Sequence, residues 1–253
     1  MKKTPVSRIR EEIREVSFEE YPLYIEMLAG DERKAVQSLV KSMEKKYSAY
    51  LFEKERIAGM REYEMMLHSK GMKLVAGVDE VGRGPLAGPV VTAAVIMPEN
   101  SEILYINDSK KLSAKKREEL SEVIKKEAVC WSVGIMSNED IDRMNILEAT
   151  KTAMKKAVES LDIKPDAVLI DALRIDIGIP QKDFIKGDER IYSIGAASIV
   201  AKVYRDDLMR KYGEKYPGYG FERNMGYGTM EHVEGIREHG LTPIHRKSFC
   251  KNI

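Results

Sequence analysis

KLVAGVDEVGRGPLAGPVVTAAVIM, residues 73–97, decides how the chain is read. Two runs, KLVAGVDE and PVVTAAVIM, have the apolar, β-branched content of strands. VGRGPLAG between them is a glycine-rich reversal. AVCWSVGIM (128–136) predicts a third strand. Pro165 closes the connection that follows, and DAVLID predicts a short buried strand ending at Asp171. A helix is expected from Glu139 to Leu161, capped by Ser137 or Asn138. Ile141, Met144, Ala149, Thr152, Ala153 and Ala157 give it a buried side. Further helices are expected over Ile194–Tyr212 and Met230–Glu238. Strands first, then alternating strands and helices, indicate an α/β fold with a mixed central sheet flanked by helices.

Residues 1–70 read differently. They are rich in Glu, Lys, Arg, Met and Tyr and poor in β-branched residues. A short helix over Phe18–Leu28 is broken by Gly30-Asp31. A long helical pattern then runs towards His68, with Ala35, Leu39, Met43, Tyr47, Tyr50, Ile57 and Met60 on one face. Gly59 either interrupts it or is tolerated. The reading is a small all-helical N-terminal extension, 1–70, ahead of an α/β domain, 71–253. The extension either only packs, or uses Lys41, Lys45, Lys46, Arg56 and Arg61 to face a polyanion.

The chain holds 42 Lys plus Arg against 41 Asp plus Glu, a net charge of +1. That balance neither requires nor excludes nucleic acid; only a local basic face would serve it. Two cysteines, Cys130 and Cys250, exclude a disulfide-rich scaffold and lack the neighbours of a zinc site. The N-terminus has no apolar signal core, and no stretch approaches eighteen apolar residues. A cytoplasmic protein without a membrane partner is expected.

Four acids, in three segments, carry the chemistry. Asp79 and Glu80 end an apolar strand before the glycine turn, where a bulge can turn both into one pocket. Two acids at a strand end also occur by accident. Asp171 ends its strand, either as an active-site group or as a turn cap. Asp206 shares the helix face of Ala196, Ile199, Val200 and Val203, whereas Asp207 points about 100° away. An inward carboxylate must be paired, protonated or bound to metal. Clustered carboxylates without Cys or His favour Mg²⁺ or Mn²⁺, and such ions suit phosphodiester hydrolysis. Gly82-Arg83-Gly84 lets backbone approach a ligand, or is a plain turn. Basic residues recur beside the acidic segments: Lys110, Lys111, Lys115 and Lys116, then Lys182 and Lys186, Lys202 and Arg205, and Arg246 and Lys247. Tyr219 and Tyr227 lie in a glycine-rich loop, available either for stacking on a base or sugar or for core packing.

Together the ordered segments VAGVDEVGRGPLAGPVVTAAV, NDSKKLS, AVLIDAL, KGDERIYSIGAASIVAKVYRD, GYGT and GLTPIHRKSF resemble ribonuclease HII, the type 2 ribonuclease H family, over about residues 71–249. The resemblance implies an RNase H-like fold. It implies Asp79, Glu80, Asp171 and Asp206 as catalytic, metal-binding acids served by Mn²⁺ or Mg²⁺. It further implies that Gly82, Arg83 and Gly84 read a ribonucleotide 2′-hydroxyl and that Tyr227 presses on the neighbouring deoxyribose. Lys186 and Lys202 would contact phosphates. The implied reaction is hydrolysis 5′ to a ribonucleotide, in RNA–DNA hybrids and in duplex DNA containing single ribonucleotides, leaving 5′-phosphate and 3′-hydroxyl. That activity serves ribonucleotide excision repair and RNA primer removal. Val81 replaces the Ala of many relatives, conservatively. The extension resembles that of the longer, Bacillus-like bacterial members, where it aids substrate binding; the type 3 enzyme carries a β-rich one instead. A monomer is expected, and SFCKNI shows no convincing clamp-binding motif. A DNA-only nuclease of the same fold and a non-catalytic hybrid-binding module are the rivals. The Gly-Arg-Gly loop with Tyr227 argues against the first, and the presence of every candidate acid against the second.

Overall fold

A computed structural model describes residues 4–251 and 253. Residues 1–3, which belong to the expected extension, and Asn252, within the SFCKNI terminus, lie outside the described residues. The chain forms two compact units, Met1–Ala58 and Gly59–Ile253.

The first unit is helical. It contains α1 (Val6–Glu15), α2 (Tyr21–Ala29) and the first part of α3 (Lys34–Ser69). Helix α1 is not among the elements expected from sequence; its ten residues are mostly charged, and only Ile9 and Ile13 are buried. These join Tyr21, Leu28, Val36, Val40 and Met43 in one small core. Phe18 stacks on Tyr50 at 4.8 Å between ring centroids. The expected apolar face of α3 is offset in its first turn: Val36 and Val40 are buried and Ala35 is exposed. The helix is continuous through Gly59, which is tolerated.

The second unit is built on a five-stranded sheet of order β3-β2-β1-β4-β5. The strands are β1 (Val75–Val81), β2 (Val90–Ile96), β3 (Cys130–Met136), β4 (Ala167–Asp171) and β5 (Gln181–Phe184). Strands β1, β2 and β3 pair antiparallel, whereas β4 runs parallel to both β1 and β5. The sheet is therefore mixed, as expected. Its helices are α4 (Ala114–Glu127), α5 (Asn138–Met144), α6 (Ile146–Glu159), α7 (Gly187–Arg190), α8 (Tyr192–Lys215), α9 (Phe221–Asn224) and α10 (Met230–His239). The single helix expected over 139–161 is two helices. Asn145, at φ 71°, ends α5 and caps α6 by accepting from Leu147 N and Glu148 N.

Alternation along β1 sorts the two faces. Ala76 and Val78 enter a core with Met154, Ala157 and Val158 of α6. Val75 faces the opposite side, with Ile191 and Ile194 at the start of α8 and Leu67 at the end of α3. Gly77 shares this second face: a Cβ there would sit 2.1 Å from the Ser193 carbonyl carbon. Helix α8 thus lies directly on the β1 backbone. Among the described residues no helix is long and apolar enough to cross a membrane.

Helix α8 begins without a side-chain cap of its own. Glu64 supplies one, accepting from Ser193 N at 2.8 Å and from Ser193 Oγ at 2.6 Å. Burial lifts the Glu64 carboxyl to about 7, against the lowering effect of these bonds and of Arg61. A carboxyl raised in the fold is favoured protonated. Its contribution is complete below the ordinary carboxylate range and is lost as pH rises through about 7. Glu64→Gln keeps an acceptor for Ser193 without the charge. It is expected to raise the thermal midpoint at pH 8.5, with the gain shrinking towards pH 5; melts at the two pH values check this.

Candidate active site

The parallel pairing of β1 and β4 brings two acidic strand ends side by side. Val78 pairs with Ile170, and the next residue on each strand is Asp79 and Asp171. Carboxyl ends of neighbouring parallel strands are where α/β sheets place ligands. Asp79 lies on the α8 face with Gly77 and is buried. Burial pushes its carboxyl well above the usual range; Glu80, Asp171 and Asp188 add to the rise, and a hydrogen bond with Ser198 of α8 opposes it. Glu80 is also raised, by burial first and by Asp171, with Arg83 pulling the other way. The Arg83 guanidinium reaches Glu80 Oε1 at 3.3 Å. Glu80 Oε2 is buried with no hydrogen-bond partner among the described residues. Asp171 is raised by burial, against the Gly187 N–H that it accepts at 2.7 Å.

Asp188 completes this group, and sequence pattern does not single it out. It sits in α7 after Lys186, which turns the chain in the left-handed region at φ 56°. It is 8% exposed, and burial, Asp108 and Asp171 lift its carboxyl to about 6. Lys110 is a second cation here, besides Arg83. Burial lowers its pKa, but Asp108, Asp79 and Asp188 outweigh that and hold it above its ordinary value.

Asp206 points inward as its helix position predicts, at 3% exposure, while Asp207 is exposed. It does not join the other acids. It lies eight residues along α8 from Ser198, which is about 12 Å of helix rise. Its carboxylate is occupied by Lys202 at 2.6 Å and Arg117 at 3.6 Å. An inward acid can be satisfied by pairing, and this is the option taken. Lys202 is correspondingly committed to Asp206, whereas Lys186 is exposed.

The donor set of Asp79, Glu80, Asp171 and Asp188 is all carboxylate oxygen, suited to a hard divalent cation. The unpartnered Glu80 oxygen and the mutual raising of the carboxyl groups fit a site that gains from added positive charge. Among the described residues, no three or more Asp, Glu, His or Cys side chains already form a closed metal cage.

The loop after β1 is held from beneath by two buried arginines. Arg205 donates to the carbonyls of Pro89 (3.0 Å), Ala87 (3.2 Å) and Met225 (2.9 Å). Arg246 donates to Gly88 (2.9 Å), Arg83 (2.9 Å) and Gly82 (2.5 Å). Sequence position groups both with the basic residues expected to face phosphate; both are 0% exposed and bind backbone instead. Gly82, at φ 91°, would set a Cβ 2.2 Å from Arg205 Nε, so only glycine fits. The two tyrosines of the glycine-rich loop separate. Tyr219 is buried and stacked on Phe221, whereas Tyr227 is 41% exposed, with Cε1 3.6 Å from the Cβ position of Gly84.

Residues 76–252 match the family model described as Ribonuclease HII, and residues 5–68 match Ribonuclease HII N-terminal domain. The chain belongs to the ribonuclease HII family. It is 51% identical to the ribonuclease HII of Ligilactobacillus salivarius, over 98% of this chain and 96% of that one. It is 49% identical to that of Clostridioides difficile over the full length of both. Among solved structures, ribonuclease H2 from Pyrococcus horikoshii aligns with a TM-score of 0.59 at 29% identity, covering 69% of this chain and 92% of that one. The RNase HII of Archaeoglobus fulgidus, solved in a complex with PCNA, gives 0.59 at 30% identity, covering 68% and 93%. The protein is thus an enzyme of the ribonuclease H type with the RNase H-like fold.

Arg246 places three donors on three separated carbonyls, which a lysine ammonium cannot span. Arg246→Lys is expected to cost about 2–4 kcal/mol and to lower the melting midpoint by roughly 5–10 °C. The neighbouring exposed Lys247→Ala should leave it unchanged, and thermal melts of both variants make the comparison.

Proposed function

We propose that this ribonuclease HII hydrolyses the phosphodiester on the 5′ side of a ribonucleotide, in RNA–DNA hybrids and in duplex DNA carrying single ribonucleotides. Asp79, Glu80, Asp171 and Asp188 are its reacting-centre carboxylates. The observation that carries the reading is the meeting of these four acids at the ends of β1 and β4, beside a backbone loop and an exposed tyrosine.

Each part has a chemical task. The four carboxylates would hold Mg²⁺ or Mn²⁺, which when bound neutralises their charge, activates water and stabilises the leaving oxygen. Gly82, Arg83 and Gly84 present backbone groups to the 2′-hydroxyl that separates RNA from DNA. Tyr227, lying against Gly84, offers its ring to the adjoining sugar. Lys110, held cationic by the surrounding acids, faces the phosphate, with exposed Lys186 further out. Asp206 and Lys202 act as a structural ion pair on α8. The helical extension assists substrate binding, a role supported by the exposed Lys41, Lys45 and Lys46 on α3. Such contacts are sequence-independent and weaken with salt.

The test is cleavage of duplex DNA containing one ribonucleotide, with Mg²⁺ or Mn²⁺, beside an all-DNA duplex and a long hybrid. A cut 5′ to the ribonucleotide with the all-DNA duplex intact is expected; cutting of the all-DNA duplex would sink the proposal. In the same assay Asp79→Asn and Asp188→Asn should lower kcat by at least about 100-fold, on the scale of losing a principal electrostatic group. Asp206→Asn should keep kcat well above that of these two variants, because its carboxylate is paired with Lys202 and Arg117 outside the acidic group, although breaking that buried pair lowers stability. The reverse ranking would return Asp206 to the reacting centre.

A further inference from the structure

The GLTPIHRKSF segment contributes Arg246 to the loop, but its histidine has no part in the reaction described above. His245 is 1% exposed and His232, on α10, is 0% exposed. Their Nε2 atoms are 3.0 Å apart. Two nitrogens at that distance must share one proton, and the surroundings decide which holds it. The Thr242 backbone N–H donates to His245 Nδ1 at 2.8 Å, so that nitrogen is an acceptor. His245 therefore carries its proton on Nε2 and donates to His232 Nε2. His232 in turn carries its proton on Nδ1 and donates to the Tyr227 carbonyl at 2.9 Å. One tautomer of each ring satisfies every bond. Burial lowers both imidazoles, His245 to about 4, so both rings are neutral near pH 7.

The chain of donors ends on the backbone of Tyr227. Other groups also hold that loop: Asn224 Oδ1 accepts from Gly226 N, the Gly226 carbonyl accepts from Leu86 N as well as facing His232, and Arg205 takes the Met225 carbonyl. The Tyr227 carbonyl also accepts from Thr229 N, at the cap of α10. His232 is the side chain that ties it to the interior, through His245, to the segment bearing Arg246.

We propose that His232 is a positioning residue for Tyr227: its Nδ1–H, whose tautomer His245 fixes by donating to Nε2, holds the Tyr227 backbone so that its ring stays against Gly84, and so sets affinity for a ribonucleotide embedded in DNA. This rests on the reading of Tyr227 as a substrate contact.

The experiment compares His232→Phe, His232→Asn, Tyr227→Ala and a double variant carrying both His232→Phe and Tyr227→Ala. The substrate is the single-ribonucleotide duplex, and fluorotyrosine at position 227 is observed by ¹⁹F NMR in the variants that keep the tyrosine. Phenylalanine keeps the ring packing against Phe221 (5.1 Å between centroids in the parent) but donates nothing. The amide of asparagine places a donor where Nδ1 stood. His232→Phe should raise KM about tenfold, the scale of one lost hydrogen bond, since the Tyr227 carbonyl keeps only its Thr229 N–H, with kcat within about twofold. It should shift or broaden the ¹⁹F line, and His232→Asn should restore both. The double variant should be no worse than Tyr227→Ala alone, since the two act through one contact. A folded His232→Phe variant with parent KM and an unmoved ¹⁹F line would overturn the proposal. So would additive losses in the double variant. If His232→Phe does not fold, a His232→Asn variant that fails to preserve KM and the ¹⁹F line overturns it instead. If Tyr227→Ala leaves KM unchanged while His232→Phe still moves the ¹⁹F line, the substrate-contact reading has failed and the affinity claim falls with it, although the positioning remains.

Discussion

The approach of α8 to β1 at Gly77 is the constraint on which the site depends. With no side chain between helix and strand, the Ser193–Ile194 backbone settles onto the sheet. Side chains one turn further along α8 then reach the end of β1, where Ser198 meets Asp79. The opposite face shows the same device, with the Ala153 carbonyl of α6 1.9 Å from the Cβ position of Gly134 on β3. Close packing on both faces makes the carboxyl end of β1 a rigid platform, because packed interiors have little room to yield. Four acids can be held near one another there only because the surrounding backbone cannot relax to separate them.

Much of this arrangement is legible from local pattern. The strands β1 to β4 announce themselves through apolar and β-branched runs, and the inward direction of Asp206 follows from helix geometry. What satisfies Asp206 does not, because Arg117 comes from 89 residues earlier in the chain. Asp188 is hidden in the polar run KGDER, where no apolar period marks a buried face; its burial comes from α7 lying over the end of β4. Strand β5, QKDF, is a polar edge strand with no strand signature. Helix α4 is obscured because LSAKKREELSEVIKKE reads first as charge, although its Ser113 cap is a visible signal. The break at Asn145 also leaves a trace, since asparagine favours both left-handed backbone and helix caps. Arg205 and Arg246 show the opposite failure. Their charge suggests surface, and only the fold reveals that they bond carbonyls.

Those two arginines have a further electrical consequence. Burial lowers their pKa values to about 10 and about 9, leaving both cationic near neutral pH. The hydrogen bonds described for them all end on main-chain oxygen, so two full positive charges lie under the loop after β1, in a protein whose net charge is only +1. Mobile ions screen exposed charges over about 10 Å at 0.1 M salt, but reach buried ones far less. The loop therefore carries a fixed positive potential that persists at ionic strengths where the pull of a surface lysine has faded.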